Sequence, residues 1–489
     1  MKRRLGHVAG LLALIGSLVP AVASPPVVLP PPSPAPLHWD GAALRDASGR
    51  EVTLRGLNVV FKRGGYLPDP SGSTITADSM NAADADLIAS WGFNLVRLGL
   101  IWKAVEPVRG SYDDRYLARA QAIVRTLANR GIYTLIDFHQ DVYNERYAGE
   151  GAPDWAVNSP LPPTNTGNWG ANYFTPAVMN EYDLFWANAN GVRDAYADAW
   201  MRVAAAFAGE AGVLGYDLFN EPWPGTQWPS CANPAGCPVF DDLILDQFYQ
   251  QVLNAIRTID PDRMIYFSPA IPTNFGAGTA VGPLIDGAGQ TGLSFHVYCL
   301  EGSLDGSFSG QGGSCATLES RAMQTQADWA RTIGAHPLLS EFGASDDLDD
   351  VERLIELAEA SDANSYAYWA YKQFDDPTGS PTESVLDPVT LAPKLDKLRV
   401  IARPYAQSVA GTDIEQDWMP NEMLRTLRVI YDATGGETVI VWPREIQGPY
   451  GAFVVCDPPG GCSLETHGDR IIVHATAGAH VIVGVSRLD

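Results

Sequence analysis

Short apolar runs rich in β-forming residues recur along this chain, each followed by a loop and a stretch with helical periodicity. No other feature restricts the fold as much. The runs are Thr53–Phe61, Asn94–Trp102, Tyr133–His139, Val213–Asn220, Met264–Pro269, Leu293–Val297, Pro337–Phe342 and Ser365–Tyr371. Helical patterns fall between them at Asn81–Trp91, Asp114–Arg130, Arg193–Ala208, Phe240–Thr258, Thr317–Ile333 and Asp349–Ala360. Strands alternating with helices in this way predict an α/β fold, a (β/α)8 TIM barrel. A doubly wound open sheet is the competing layout, but no early strand is followed by GxGxxG.

Beyond Arg403-Pro404 the helical pattern stops. Leu424–Tyr431, Thr438–Trp442, Ala452–Val455, Arg470–His474 and His480–Val485 alternate between Gly- and Pro-rich turns. A small C-terminal antiparallel β-sandwich is expected over 403–489, a structural module beside a catalytic barrel at 37–402. At the other end, Lys2-Arg3-Arg4, the apolar run Leu11–Val19 and Ala21-Val22-Ala23 fit a signal peptide over 1–23. That run is shorter than the roughly 20 residues of a spanning helix, so a secreted, extracellular protein is expected. Proline dominates 24–36, which reads as a stiff linker.

In an oxidising compartment the 6 cysteines pair most simply with their sequence neighbours: Cys231 with Cys237, Cys299 with Cys315, and Cys456 with Cys462. No Cys and His spacing resembles a zinc site, and neither metal nor cofactor is expected. A net charge of -24 repels phosphate backbones, which argues against a nucleic-acid partner.

The carboxyl ends of barrel strands carry the chemistry of this fold. The fourth run ends GYDLFNEPW and the seventh ends PLLSEFG, each finishing on a glutamate. Glycoside hydrolysis needs two carboxyl groups, one to protonate the leaving oxygen and one to capture or stabilise the anomeric carbon. Strands four and seven stand on opposite sides of a barrel mouth, where Glu221 and Glu341 could flank one sugar. Either glutamate alone could equally be an ion-pair partner or a helix cap.

Taken together, Asn220-Glu221-Pro222, His296-x-Tyr298, Ser340-Glu341-Phe342-Gly343, Arg97 in NLVRLGL, His139 in LIDFHQDVY and Trp369 in YAYWAYK resemble glycoside hydrolase family 5 over about 37–402. DFHQDVY, a long Trp-rich insertion and a C-terminal β-sandwich are similar to the endoglycoceramidases within it. The resemblance implies Glu221 as acid and then base, and Glu341 as the nucleophile of a retaining mechanism. It further implies that Asn220 meets the sugar 2-hydroxyl, that Tyr298 donates to Glu341, and that Arg97 and His296 orient the nucleophile. His139, Asp141 and Lys62 would contact sugar hydroxyls, with Trp369 as the platform beneath the ring. The substrate implied is a glycosphingolipid, cut between intact glycan and ceramide by a monomer in transient contact with a membrane surface.

Between Trp155 and Trp186 aromatic residues are too dense for an exposed loop, so the segment packs as extra core or lines a cleft. Trp169, in GNWGANYF, is the residue expected to reach substrate. The loop WPGTQWPSCANPAGC is expected to wall the aglycone side with Trp223 and Trp228. A cellulase- or mannanase-type endoglycanase is the alternative with the same carboxyl chemistry, and a catalytically dead lectin-like protein the alternative without it. The chain departs from the family pattern at Ala370-Tyr371-Lys372 and around Lys62-Arg63-Gly64-Gly65, both beside the glycone, which admits a preference for galactosyl-linked ceramide.

Overall fold

The structure, a computed structural model, describes residues 34–488 apart from 306–308, 362, 373–375 and 421–424. The expected signal peptide and most of the proline-rich linker lie outside the described residues. Runs dense in Leu, Ile and Val form strands buried on both faces. All eight expected runs contribute one: Arg55–Val59, Leu95–Ile101, Tyr133–His139, Val213–Asp217, Met264–Phe267, Thr291–Val297, His336–Phe342 and Tyr366–Tyr368. They pair in parallel into a closed barrel, the eighth strand meeting the first with Tyr366 opposite Arg55. Close strand approach explains Gly292, where a Cβ would stand 2.3 Å from the Tyr266 ring.

Helices Ala82–Ser90, Asp114–Ala128, Val192–Phe207, Asp246–Arg257, Cys315–Thr332 and Leu348–Ala360 follow their strands. Their starts are chemically marked: Asn81, Asp113 and Asp347 accept backbone N–H groups of the first turn. The Trp-rich insertion divides its aromatics between two tasks. Tyr182, Phe185 and Trp186 are buried, with Phe185 and Trp186 packed against Phe219 and Phe248. Trp169, Tyr173 and Phe174 line the cavity at the barrel mouth instead. Among the described residues no helix is long and apolar enough to cross a membrane.

After the barrel the chain forms antiparallel sheets. One has four strands, Gly411–Pro420, Arg425–Ala433, His480–Arg487 and Tyr450–Asp457. The other has seven, and three of these come from the N-terminal segment: His38–Trp39, Leu44–Arg45 and Glu51–Val52. Val52 lies opposite Ser408 there, while Trp39 donates its indole N–H to the Gly334 carbonyl at 2.8 Å, below the barrel. The hairpin thus joins the barrel floor to the C-terminal sheets. The three cysteine pairs are joined as expected.

Candidate active site

Polar residues in the barrel mouth come from strand ends, where the chain leaves the apolar wall and turns into loops. Arg97, on the second strand, is fully buried beneath the mouth and organises it. Its guanidinium donates to Asp217 at 2.8 Å, Asn220 at 2.9 Å and Glu341 at 2.5 Å, and it pairs with Asp137 at 3.0 Å. Burial opposes its charge, but Asp137, Asp217 and Glu341 hold it firmly protonated. Glu341 also accepts the Tyr298 hydroxyl at 3.0 Å. Burial pushes the Glu341 carboxyl up, and the Arg97 guanidinium pulls it back.

Glu221 stands opposite. An oxygen of Glu221 and one of Glu341 approach within 4.8 Å of each other, with His296 Nδ1 between them. That histidine is 2.8 Å from Glu221 Oε1 and 3.5 Å from Glu341 Oε2. Its stronger contact is therefore with Glu221, not with the glutamate that the sequence reading gave it to orient. Burial drops His296 to about 4, so the ring is neutral. Burial raises Glu221 to about 7, and the negative charge of Asp141 adds to the rise. The Glu221 backbone has φ 48°, a left-handed conformation that costs a residue with a side chain roughly 1–3 kcal/mol. Gln140 secures it by donating its amide N–H groups to the carbonyls of Asn220 at 2.8 Å and Glu221 at 3.1 Å.

Lys62, His139, Asp141, Trp369, Thr378 and Glu383 make a polar half of the cavity. Lys62 donates to Asp141 at 2.5 Å and to Thr378 at 2.8 Å, and lies 4.7 Å from the centre of the Trp369 ring. His139 stacks on that ring at 5.2 Å. Burial disfavours its charge, but hydrogen bonds to Asp137 and Asp141 carry it up to about 9. The Trp369 indole N–H donates to Glu383 at 2.7 Å, and burial pushes that carboxyl up to about 8. Of the thirteen residues expected from sequence, eleven line this one cavity of about 490 Å³, and Arg97 and His296 support it from behind.

A match to the family model Cellulase (glycosyl hydrolase family 5) spans residues 45–375. Endoglycoceramidase I of Rhodococcus hoagii (strain 103S) is 30% identical over 467 residues, covering 92% of this chain and 86% of that protein. The chain belongs to the endoglycoceramidases of family 5. The endoglycoceramidase of Cyanea nozakii is 29% identical, with 88% of each chain covered. Among solved structures, Endo-glycoceramidase II from Rhodococcus sp. in its lactosyl-enzyme intermediate aligns with a TM-score of 0.72 at 26% identity, over 93% of this chain and 100% of that one. The same protein has also been solved as a ganglioside GM3 complex, similar over 91% of this chain and 99% of that one with a TM-score of 0.72 at 26% identity.

An endoglycoceramidase cavity needs more than its carboxyl pair, and the other half of this one is apolar. Trp228 stacks on Trp223 with ring centres 6.2 Å apart, and Phe174 meets both edge-on. Ile271, Pro272 and Phe275 complete the wall. Sequence reading singled out Trp169 from the insertion and passed over Tyr173 and Phe174. It also missed Asn274, Thr378 and Glu383, which sit on loops without a periodic signal. Gln140, between two residues of DFHQDVY that were named, was within reach.

Proposed function

We propose that Glu221 and Glu341 are the acid/base and nucleophile of a retaining endo-β-glycosidase that releases intact glycan from ceramide. The supporting observation is their position: a carboxyl pair within 4.8 Å at the seam between the polar and apolar halves of one cavity. Retaining enzymes hold the pair about 5–5.5 Å apart, and inverting ones leave room for a water. Glu221, raised to about 7, keeps its proton near neutrality to give to the leaving oxygen. Glu341, hydrogen-bonded by Arg97 and Tyr298, attacks the anomeric carbon from the opposite face. Glu221 then takes a proton from water, and the covalent glycosyl-enzyme is hydrolysed with net retention.

The sugar rests on Trp369 with its hydroxyls turned to Lys62, His139 and Asp141, and Asn220 serves the 2-hydroxyl. The ceramide chains occupy the wall made by Trp169, Trp223 and Trp228. A polysaccharide would place a second sugar there, against a surface with few hydrogen-bonding groups, which disfavours the endoglycanase reading. The chain acts as a secreted monomer that meets its lipid at a membrane surface. Residues 1–23 are the export signal, 24–36 the linker, 37–402 the catalytic barrel and 403–489 a supporting module.

Digesting a panel of glucosyl- and galactosyl-linked glycosphingolipids beside carboxymethylcellulose tests the reading. Free glycan and ceramide are expected, and the panel ranks the two head sugars. Cleavage of carboxymethylcellulose alone overturns the substrate, and full turnover by Glu341→Gln overturns the mechanism. A mature N-terminus at residue 24 in culture medium is the expected mark of export.

A further inference from the structure

After the fifth barrel strand the chain makes a short 3-10 segment, Ile271–Phe275, that serves both halves of the cavity. Ile271, Pro272 and Phe275 are part of the apolar wall, yet Asn274, between them, reaches the carboxyl pair. Asn274 is 3% exposed and donates from Nδ2 to Glu221 Oε1 at 2.7 Å. Its carbonyl accepts the Tyr298 backbone N–H at 3.3 Å, and Tyr298 carries the hydroxyl that holds Glu341. The Ile271 N–H donates to the Pro222 carbonyl at 3.0 Å, fastening the segment to the residue after Glu221.

We propose that Asn274 is a positioning residue through which a lipid in the apolar half sets the Glu221 carboxyl for proton transfer, so that a ceramide aglycone raises kcat as well as binding. The inference rests on the function proposed above. Asn274 and His296 both engage Oε1, which leaves the second oxygen to face the leaving group. A hydrogen bond donated to a carboxylate favours its charged form, the form Glu221 takes once the proton has left. Acyl chains filling the cavity pack on Ile271, Pro272 and Phe275 and seat the segment. Binding energy from a part of the substrate that does not react is thereby used at the reacting centre.

The charged and titratable groups facing Glu221 are His296 and Glu341 on strands six and seven, His139 at the end of strand three, and Tyr298, Asp141 and Lys62 just beyond the ends of strands six, three and one. Tyr173 and Tyr182 face it from the insertion. Asn274 is uncharged, so Asn274→Ala leaves all of these charges in place.

The test compares native protein, Asn274→Ala, Asn274→Asp, Phe275→Ala and the Asn274→Ala/Phe275→Ala double variant on lactosylceramide in detergent micelles and on dinitrophenyl lactoside. Loss of the donor, or its replacement by a like charge, moves the basic limb of the kcat/KM profile up by about one pH unit in both Asn274 variants. Their kcat on lactosylceramide falls about 10- to 100-fold. On dinitrophenyl lactoside, whose leaving group needs no proton, kcat/KM, which reports the glycosylation step, changes less than about 3-fold. Phe275→Ala lowers kcat on the lipid about tenfold alone and less than about twofold beside Asn274→Ala, the sign of coupling. An unmoved limb, an equal fall on both substrates, or effects that multiply in the double variant overturns the inference. Asn274→Asp is close to isosteric and keeps the test open if the alanine variant does not fold. Native protein that cleaves the aryl lactoside and no lipid overturns the proposed function along with the inference. Native cleavage of both substrates with unshifted variants overturns the inference alone.

Discussion

Replacing Arg97 by methionine removes the cation on which the barrel mouth is assembled, and the cost follows from what it leaves behind. Three buried carboxylates, Asp137, Asp217 and Glu341, lose their counter-charge together. Deleting one partner of a buried pair costs roughly 3–5 kcal/mol, because the other charge is left without compensation. The three losses do not add, since a stranded carboxylate escapes by taking up a proton. Burial already pushes Asp217 up to about 6 against the pull of Arg97, with Asp137 adding to the rise, and without the guanidinium it climbs further. A carboxyl whose folded pKa lies above its unfolded value of about 3.9 stabilises the fold fully below that value. The stabilisation is lost as pH rises through the folded pKa. The melting deficit of the variant is therefore small near pH 4.5 and widens to about 4 kcal/mol, or about 4 °C, by pH 8. Melting curves of both proteins followed by near-ultraviolet circular dichroism across that range measure it. A deficit equal at both ends would mean that Arg97 acts by packing and neutral hydrogen bonding, and the charge argument would be wrong.

Three further substitutions probe separate parts of the cavity. Asp141→Asn removes a negative charge that helps keep Glu221 protonated, so the basic limb of kcat/KM, expected near pH 7 in the native enzyme, moves down; an upward move contradicts the assignment. Trp228→Ala strips one ring from the apolar wall. Losing contact over about half the 150–250 Å² of an aromatic side chain at about 25 cal/mol/Å² is worth about 2 kcal/mol, so kcat/KM on a ceramide glycoside falls about 30-fold. Turnover of a water-soluble aryl glycoside stays nearly constant, and an equal fall on both refutes a lipid wall. Glu383→Ala leaves the Trp369 indole N–H without the acceptor it has at 2.7 Å, at about 1–3 kcal/mol. KM for the glycan rises about tenfold and Glu383→Gln, which keeps an acceptor, restores most of it; failure of that rescue points to a role other than holding the indole.

What could be read from the chain, and what could not, follows from how each part is stabilised. The barrel strands were legible because a strand covered on both faces must be continuously apolar, as in Tyr133–His139 and His336–Phe342. The C-terminal strands Gly411–Pro420 and Cys462–His467 were missed. Each has one exposed face and no continuous apolar run, half of GTDIEQDWMP being charged or polar, although each pairs with the strand next in sequence. The N-terminal hairpin was visible, but its pairing to a strand near residue 408 was not, since two-residue strands carry no periodicity. The same division runs through the site. Glu221 and Glu341 announce themselves because each interrupts or closes an apolar run, and a carboxyl placed there must be satisfied by something. What satisfies them arrives from elsewhere: Arg97 and His296 from other strands, and Asn274, Thr378 and Glu383 from loops whose composition is ordinary. A local window can thus expose the group that needs compensation, but not the groups that supply it. The polar half of the cavity is built from strand-end exceptions, and the apolar half from loops where aromatic residues look like core until they are seen to face a cavity. For a lipid-glycan cutter this has a consequence: the reaction is the more legible half, and what distinguishes a ceramide from a second sugar is carried by the segments that sequence reading resolves least.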